Sequence, residues 1–557
     1  MKQSLVNTDS ARLSEPSSFC TICTHTCYFE FLGLVYSLSV HHPGAKLYCM
    51  LDAKTKYELD NLTLKPNLDI KVTVGLDKYT GLDRQKMEQT NTIKEFWNHK
   101  TYIMSYALQH EKDTLFLDSD VFIVNPINCI DHSKDLGLSP HYIRKLNTDE
   151  VGYYNGGCVW TKNKEVPLCW EKHTVNSRYV DQASLEDVAI DYKESMFEFG
   201  EESNYMPWRV LLANNQEEVV NKINIKNNQI NIGDKPLVFL HTHFHDQRFM
   251  QVNNIFINAF RKLKRYKELL IIDRIINKNW IIKIPKQPQQ GIWRHANDSF
   301  RELASLYEKN NSDVVVELTD SLHCWLGNHI LLYDRPTHEW FNQDLANTSL
   351  ILLGNGDVNK EGEKLKSNNL NVIPWIFWPR RPKVLEKILG DEGVLSYEDR
   401  GIESIFIGNY ENGVQEKYRN TNVDWSSVLS EYHCTAGHKH KFTHEEYLMK
   451  LRNSRYGLCL RGYGSKCHRE VELMAFGTVP IITEEVNVDS YMEPLIEDKH
   501  YISANTKEEL LNKIKQITKY EWNLMSANCC DWYKRNTHSK SSLNHTINKI
   551  LYNKKKF

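Results

Sequence analysis

The sequence has almost no net charge and no long apolar run, and both features narrow the class of protein. Its 69 Lys and Arg residues nearly balance 71 Asp and Glu residues, which gives a formal net charge of −2 and a pI near 6.9. Nucleic-acid-binding surfaces are usually markedly basic, so we expect no nucleic-acid partner. No stretch approaches the roughly 20 apolar residues of a membrane-spanning helix, so we expect no membrane span.

The first ten residues also lack the apolar core of a signal peptide, which predicts a cytoplasmic location. The 13 cysteines are odd in number and include the adjacent pair Cys529 and Cys530, a poor disulfide framework. We therefore expect free thiols. No Cys or His pair at zinc-site spacing closely follows Cys20, Cys23 and Cys27, which favours strand cysteines over a metal site there.

A chain of 557 residues is too long for one core and predicts two to four folding units, at roughly 100–200 residues each. Around residues 278–290 the chain becomes rich in Lys, Pro and Gln, the composition of a linker. Strand-like and helical stretches alternate on both sides, which indicates α/β architecture throughout. We predict a first domain at 1–275, a linker at 276–292, and a second domain at 293–557 with lobes at about 293–400 and 401–557.

The most informative stretch of the first half runs from Thr114 to Pro126. Apolar residues fill nearly every position except Asp118, Ser119 and Asp120, and such a short run predicts a strand buried on both faces. Two carboxylates therefore lie in or just beyond the end of a buried strand. Unpaired charge is costly there, so a divalent cation with oxygen ligands is the favoured partner. For a bare Asp-x-Asp the alternative is that Asp118 caps a turn and Asp120 faces water.

The flanking segments predict a parallel sheet with histidines at one strand end. A β-rich run at 18–27, a helical run from Tyr28, and a strand at 46–52 form a βαβ unit. A later strand begins at Pro236 and runs into a histidine cluster, in which His241 and His243 share a face because they are two residues apart. Each histidine alone would usually be an ordinary polar residue, but together with the carboxylate pair they are candidate metal ligands.

Four features in this order resemble the family 8 nucleotide-sugar transferases of the GT-A fold, the glycogenin and galactosyltransferase-like group. They are the βαβ unit with Asp52 after its second strand, Leu117-Asp-Ser-Asp-Val121, Tyr154-Asn-Gly-Gly-Cys-Val159 followed by Asp181-Gln182, and His243-Phe244 at a late strand end. The glycine and lysine that follow this histidine in the family are missing, so Arg248 is expected to replace the lysine. The resemblance covers about residues 18–250.

The resemblance implies a Rossmann-like mixed sheet and a role for each matching residue. A nucleotide diphosphate is an anionic leaving group, so a cation must neutralise the charge that grows as the glycosidic bond breaks. Oxygen ligands with one imidazole suit Mn²⁺ or Mg²⁺. The implied assignments are Asp118, Asp120 and His243 for the metal, Asp118, Lys100 and Gly156 for the donor, and Asp181, Gln182 and Asn155 for the catalytic group.

A second motif lies between Tyr456 and Ile482 and reads as strand, glycine loop, helix, glycine stop and strand. The loop with Gly462 and Gly464 directs backbone amides and a helix N-terminus toward one point, which favours an anion. Arg469 and Glu472 are three residues apart and share one helix face. By spacing alone, a structural Arg–Glu pair is the favoured interpretation.

The whole string, however, resembles the exostosin-like transferases of family 47, which have a two-lobed GT-B fold and need no metal. The match covers about 60 residues and carries an aromatic-Cys-Leu strand, a Gly/Ser loop, Arg-x-x-Glu and a Gly-x-x-Pro strand. The resemblance implies donor contacts at Gly408, Arg419, Gly464, Ser465, Arg469 and Glu472. Asp334 and Asp357 are candidates for the acceptor base.

The sequence therefore predicts a bifunctional glycosyltransferase that uses nucleotide-diphosphate sugars, with UDP-sugars favoured, on a glycan or glycoprotein acceptor. We expect Mn²⁺ or Mg²⁺ in the first domain and no cofactor in the second. One alternative is a single active first domain beside a glycan-binding or degenerate second domain. Another is a phosphatase of the haloacid-dehalogenase type, whose nucleophile box Asp-Ser-Asp-Val also fits, although three strands precede it here. The donor sugar, the linkage and the stereochemistry are not readable from these motifs.

Overall fold

The computed structural model describes residues 13–244, 246–285, 294–319, 330–333, 350–353, 372–374, 378–410, 413–420, 423–462 and 464–552. The chain forms two compact units, Met1–Lys278 and Asn279–Phe557. Both units are mixed α/β structures, as the sequence predicts. Among the helices of these ranges, none combines the length and apolar character needed to cross a membrane. The described cysteines are all free.

The first unit is built on a seven-stranded mixed sheet with the strand order β3-β2-β1-β4-β7-β6-β8. The first four strands in this order run parallel, β7 is antiparallel to both of its neighbours, and β8 is parallel to β6. The strands of this unit are β1 Phe19–Cys23, β2 Lys46–Leu51, β3 Asp69–Val74, β4 Thr114–Leu117, β5 Val121–Ile123, β6 Leu136–Pro140, β7 Tyr154–Thr161, β8 Met196–Glu198, β9 Ile223–Lys226, β10 Gln229–Ile232, β11 Lys235–Pro236 and β12 Phe239–His241.

Helices cover this sheet, and the predicted βαβ unit is formed by β1, α1 and β2. One core cluster lies between the sheet and α4, α6 and α7, and it includes Ile103, Phe116 and Trp170. The helices of the first unit are α1 Tyr28–His41, α2 Ala53–Asp60, α3 Arg84–Gln89, α4 Ile93–His110, α5 Lys145–Val151, α6 Glu165–Thr174, α7 Leu185–Asp191, α8 Trp208–Leu211, α9 Gln216–Asn221, α10 Met250–Lys262 and α11 Tyr266–Asn277.

The second unit contains two parallel five-stranded sheets, which agrees with the prediction of two Rossmann-like lobes. Their orders are β14-β13-β15-β16-β17 and β19-β18-β20-β21-β22. The strands are β13 Trp280–Pro285, β14 Val314–Thr319, β15 Ile330–Tyr333, β16 Leu350–Leu353, β17 Val372–Pro374, β18 Ile402–Tyr410, β19 Glu431–Ala436, β20 Ser454–Cys459, β21 Val479–Ile482 and β22 Ile502–Ser503. The helices are α12 Arg294–Asn310, α13 Pro382–Glu392, α14 Gly413–Arg419, α15 His444–Arg452, α16 His468–Ala475, α17 Lys507–Gln516, α18 Lys519–Asn536 and α19 Ser542–Tyr552.

Part of the predicted linker at 276–292 is a strand. Trp280–Pro285 forms β13, which pairs with β14 and β15 inside the first sheet of the second unit. Its apolar residues Trp280 and Ile282 are buried. The lysines and prolines that suggest a linker therefore surround a core strand, while residues 286–293 lie outside the described ranges.

Candidate functional site

The carboxylate pair lies where β4 ends at the middle of the first sheet. β4 stops at Leu117, β5 starts at Val121, and the backbone N–H of Val121 donates to the carbonyl of Asp118 at 3.1 Å. The predicted continuous strand is thus interrupted by a turn at 118–120. Both carboxylates stand just beyond the carboxyl end of a fully buried strand.

Lys100 neutralises the first carboxylate and connects it to a second one. Its Nζ lies 3.0 Å from Asp118 Oδ1 and 3.0 Å from Asp181 Oδ2, and it donates to the carbonyl of Gly156 at 3.1 Å. Lys100 precedes Ile103 by three residues, so α4 places it on its buried face. Burial lowers the pKa of Lys100, but the charges of Asp118 and Asp181 outweigh burial and raise it. Burial also raises the pKa of Asp118, which Lys100 offsets only in part.

Two histidines hold the second carboxylate. Asp120 Oδ1 lies 3.0 Å from His241 Nε2, and Asp120 Oδ2 lies 2.9 Å from His243 Nδ1. The antiparallel pairing of β12 with β5 brings this about, because His241 is in register with Val121 beside Asp120. Burial alone would raise the pKa of Asp120, but the two imidazoles outweigh burial and hold it well below its usual range.

These three residues form a potential metal-binding group. One ligand atom from each of Asp120, His241 and His243 lies within 4.8 Å of the other two. Asp118 stands beside this group, with Oδ2 3.8 Å from His241 Nε2 and Oδ1 at Lys100. Of the residues that the resemblance assigns to the metal, Asp120 and His243 belong to this group together with the candidate ligand His241, whereas Asp118 lies beside it.

A buried asparagine orients His241 and has no counterpart in the sequence motifs. His241 Nδ1 lies 3.1 Å from Asn204 Oδ1, while Asn204 Nδ2 donates to Asn155 Oδ1 at 3.0 Å and Ser139 Oγ at 3.1 Å. Because the Asn204 oxygen can only accept, Nδ1 of His241 carries a proton, and Nε2 is the ring nitrogen that faces Asp120 and would bind a metal. Hydrogen bonds of this kind orient metal-binding imidazoles. Asn204 occupies a loop outside every helix and strand, so no periodic pattern marks it.

The same hydrogen-bond network continues to the predicted catalytic residues. Asn155 Oδ1 also accepts from the N–H of Gly157 at 3.0 Å, and Asn155 Nδ2 donates to Gln182 Oε1 at 3.1 Å. His141 Nε2 lies 3.3 Å from Asn155 Nδ2, and burial lowers the pKa of His141 to about 4. A neutral imidazole therefore lies against Asn155.

The Gly156-Gly157 pair provides the space for these groups. A Cβ on Gly157 would lie 2.4 Å from Asp118 Oδ2 and 2.5 Å from His241 Cε1. A Cβ on Gly156 would lie 2.5 Å from Asp181 Oδ2. Any side chain here would displace a carboxylate or the imidazole.

The metal-binding group fits a divalent cation. It offers one carboxylate and two imidazoles, and Nε2 of His241 already lies beside the Asp120 carboxylate. Asp120, His241 and His243 would hold the ion. Two imidazoles favour Mn²⁺ over Mg²⁺, since Mg²⁺ prefers oxygen ligands and water.

Two other predicted residues occupy different surroundings. Asp52 caps α2 by accepting from Thr55 N at 2.7 Å, and it also accepts from Thr80 Oγ1 at 2.7 Å. Arg248 is largely exposed and pairs with Asp246 at 2.6 Å. Asp334 and Asp357, the candidates for the acceptor base, lie outside the described residues.

The second unit contains a cavity of about 610 Å³ around the predicted exostosin-like residues. Gly408, Arg419, Gly464, Arg469 and Glu472 all line it. Of its described lining residues, Glu472 is the sole carboxylate. The cationic lining residues are Arg380, Arg381, Arg419, Lys439, Lys466 and Arg469. An anion is the ligand that such a cavity favours.

Arg469 is a buried cation of the cavity lining, with 7% of its surface exposed. It donates from Nη2 to the carbonyl of Ile407, while its buried Nε and Nη1 make no hydrogen bond to a described residue. Burial lowers the pKa of Arg469, but nearby groups, Tyr447 first among them, outweigh burial and raise it. Gly408 allows this approach, because a Cβ there would lie 3.0 Å from Arg469 Nη2.

Glu472 does not pair with Arg469 in the described structure. Its Oε1 accepts from the N–H of Arg380 at 2.9 Å, and its Oε2 accepts from the Tyr447 hydroxyl at 2.8 Å. The structural Arg–Glu pair suggested by the spacing is therefore wrong. Ser465 is buried with no hydrogen bond to its hydroxyl, and it is not among the residues that line the cavity.

No protein-family model matches the chain, and no curated protein matches it. Among solved structures, the glycosyltransferase GlyE of Streptococcus pneumoniae TIGR4 is similar at 12% identity and a TM-score of 0.30, over 64% of this chain and 95% of that chain. The galactosyltransferase LgtC, in complex with donor and acceptor sugar analogues, is similar at 12% identity and a TM-score of 0.28, over 43% of this chain and 95% of that chain.

Proposed function

We propose that the chain is a glycosyltransferase whose first unit transfers a sugar from a nucleotide-diphosphate donor with the help of a divalent cation. The observation that carries the proposal is the group Asp120, His241 and His243 at the carboxyl end of β4. Ligand sites in α/β sheets lie at the carboxyl ends of strands. The resemblance of the sequence motifs to family 8 transferases gives the donor class, with UDP-sugars favoured.

In this proposal the bound cation supplies the positive charge that stabilises the departing diphosphate. Asp120 and the two histidines would hold it, and the hydrogen bond of Nδ1 to Asn204 directs Nε2 of His241 to the ion. Lys100 lies 3.0 Å from both Asp118 and Asp181, so its positive charge holds these carboxyl groups close together. Asn155, Gly156 and Gln182 are assigned to the sugar side, where the hydrogen bond from Asn155 fixes the amide of Gln182.

For the second unit we propose a second transfer site that needs no metal. The support is the cationic cavity, whose lining includes Arg419, Arg469 and Gly464. Gly408 and Glu472, which also line the cavity, complete the proposed donor set. The two units act on one glycan or glycoprotein acceptor in the cytoplasm, and tethering keeps the first product near the second site.

An alternative for the second unit is a glycan-binding module without turnover. The observation that favours it is the occupation of both Glu472 oxygens, which accept from Arg380 and Tyr447. In this alternative, Glu472 holds the segments of Arg380 and Tyr447 in place and does not bind a sugar hydroxyl.

Donor hydrolysis by the full-length chain separates these possibilities. We would assay a panel of nucleotide sugars with Mn²⁺ and with EDTA, using the wild type, Asp120→Asn, Arg469→Ala and the double variant. Two transfer sites predict a Mn²⁺-dependent activity lost in Asp120→Asn and an EDTA-resistant activity lost in Arg469→Ala. Absence of any EDTA-resistant activity would support the binding module, and release of phosphate from a phosphoester in place of donor cleavage would support the phosphatase alternative.

A further inference from the structure

A second group of metal-ligating side chains lies on the pair of helices α6 and α7. Cys169 and His173 are four residues apart on α6, so they share one face of that helix. Asp187 and Asp191 are likewise four apart on α7 and share a face. The two faces meet, because His173 Nε2 lies 2.8 Å from Asp191 Oδ2 and Cys169 Sγ donates to the same oxygen at 3.3 Å.

We propose that Cys169, His173 and Asp191 form a second metal site that binds a borderline divalent cation, with Zn²⁺ the expected ion. One ligand atom from each residue lies within 4.8 Å of the other two, so the group is already assembled before an ion arrives. Thiolate, imidazole and carboxylate are the ligand types of zinc sites, and water would complete a four-coordinate shell. Mn²⁺ and Mg²⁺ prefer oxygen ligands, so this donor set is selective against the ion proposed for the first site.

Asp187 lies on the other side of the imidazole. With Nε2 directed toward Asp191, the other ring nitrogen of His173 faces Asp187, with Nδ1 to Oδ2 at 4.0 Å. This separation is too long for a hydrogen bond, so Asp187 contributes negative charge near the proposed site and is not a ligand.

The site is open to an ion from solvent. The side chains of His173 and Asp191 are 28% and 49% exposed, so an ion can reach them from solvent. The Cys169 thiol keeps its proton and donates a hydrogen bond to Asp191. Metal binding would release this proton to solvent and leave the thiolate as the ligand.

An ion here would join the two helices that flank the segment carrying Asp181 and Gln182. Trp170, the neighbour of Cys169, donates from Nε1 to the Asp181 carbonyl at 2.8 Å, and Ser184 Oγ donates to the same carbonyl at 2.7 Å. Cross-linking α6 to α7 would therefore stabilise the base of the loop on which the first site depends. The alternative is an ordinary surface ion pair between His173 and Asp191, which contributes little.

Cobalt titration of the full-length protein tests the proposal. Co²⁺ replaces Zn²⁺ and gives a thiolate-to-cobalt charge-transfer band in the near ultraviolet when a cysteine ligates it. We expect this band in the wild type and its loss in both Cys169→Ser and His173→Gln, each confirmed as folded by circular dichroism. Asp120→Asn, which affects only the first site, and Cys27→Ser, which removes an exposed thiol elsewhere, should both keep the band.

The affinity for Zn²⁺, measured by competition with Co²⁺, should fall further in Asp191→Asn, which loses a ligand, than in Asp187→Asn, which loses only a nearby charge. Zn²⁺ should also raise the melting temperature of Asp120→Asn, but not of Asp120→Asn combined with Cys169→Ser, because the first site can bind Zn²⁺ as well. A band that persists in Cys169→Ser, or the absence of any thiolate band in the wild type at saturating Co²⁺, would overturn the proposal. If Cys169→Ser does not fold, Asp191→Asn takes its place. A weakened or lost cobalt band in that variant supports the proposal, and an unchanged band overturns it.

Discussion

Lys100 sets the charge balance of the first site. It is 4% exposed and lies 3.0 Å from each of two carboxylates, one of which, Asp181, is also fully buried. Removing the cation from such a group leaves unpaired buried negative charge, which is far more destabilising than loss of a surface pair.

We predict that Lys100→Met lowers the free energy of unfolding by about 3 kcal/mol or more. Urea denaturation followed by circular dichroism measures it. The matched control is Lys145→Met, which removes a pair with Asp149 in which both side chains are exposed, at 84% and 57%. The control should lose about 0–1 kcal/mol. Equal losses in the two variants would contradict the described role of Lys100.

His500 gives the second unit a pH-dependent stability. Burial, followed by the charge of Lys499, lowers its pKa to about 4, and its Nδ1 accepts from the N–H of Ile496 at 3.0 Å. Between pH 6.5 and about 4 the unfolded chain binds a proton here that the folded chain does not. The stabilisation is therefore complete above pH 6.5 and is lost as the pH falls toward 4.

Below pH 6.5 the wild type should lose free energy of unfolding because of His500, by up to about 1.4 kcal/mol per pH unit, the value for one proton. We predict that His500→Gln lacks this part of the loss. Urea denaturation of both proteins at pH 7 and at pH 5 measures the difference, because all other groups contribute equally to each. An unchanged difference between the two pH values would show that His500 takes up its proton in the folded state.

At the scale of the element, Gly152 joins the end of α5 to the segment that carries Asn155. Its φ is +103°, and a Cβ there would lie 2.8 Å from Ala183 Cα, a backbone atom next to Gln182. The glycine therefore permits both the backbone conformation and the close approach of two chain segments that form the first site.

We predict that Gly152→Ala destabilises the protein by more than Gly44→Ala, a matched control with φ +80° and nothing within 4 Å of its Cβ. The control measures the conformational effect alone, about 1 kcal/mol, and the excess measures the backbone clash. Thermal unfolding gives both values. If Gly152→Ala destabilises the protein no more than the control does, the backbone at Gly152 is not in close contact with Ala183.

The elements also show which parts of the site are predictable. The β4 run and its two following carboxylates are visible in the sequence because a buried strand needs continuous apolar residues. His243 and Gly156 follow from family resemblance. His241 is a candidate ligand from its spacing to His243, but its contact with Asp120 depends on the pairing of β12 with β5. Asn204 lies in a loop and is far from His241 in the sequence, so no pattern predicts it. Strand β13 was hidden by the lysines and prolines around it.

At the scale of the whole molecule, two α/β units offer two sites with opposite electrostatic character. The first gathers carboxylates and imidazoles that suit a cation, whereas the second gathers arginines and lysines that suit an anion directly. Both arrangements are ways to bind a diphosphate, one through a metal and one without. This contrast is the physical basis for proposing two transfer reactions in one chain.

Donor hydrolysis with and without metal tests the central claim most directly. For the full-length chain and a panel of nucleotide sugars, we predict cleavage of a donor that requires Mn²⁺, falls at least 100-fold in Asp120→Asn, and persists in Arg469→Ala. Cleavage that is unchanged in EDTA and in Asp120→Asn would contradict the metal-dependent first site. A further possible result is a protein that binds Mn²⁺, loses that binding in Asp120→Asn, and cleaves no donor. That result would support the metal site and contradict the transferase function.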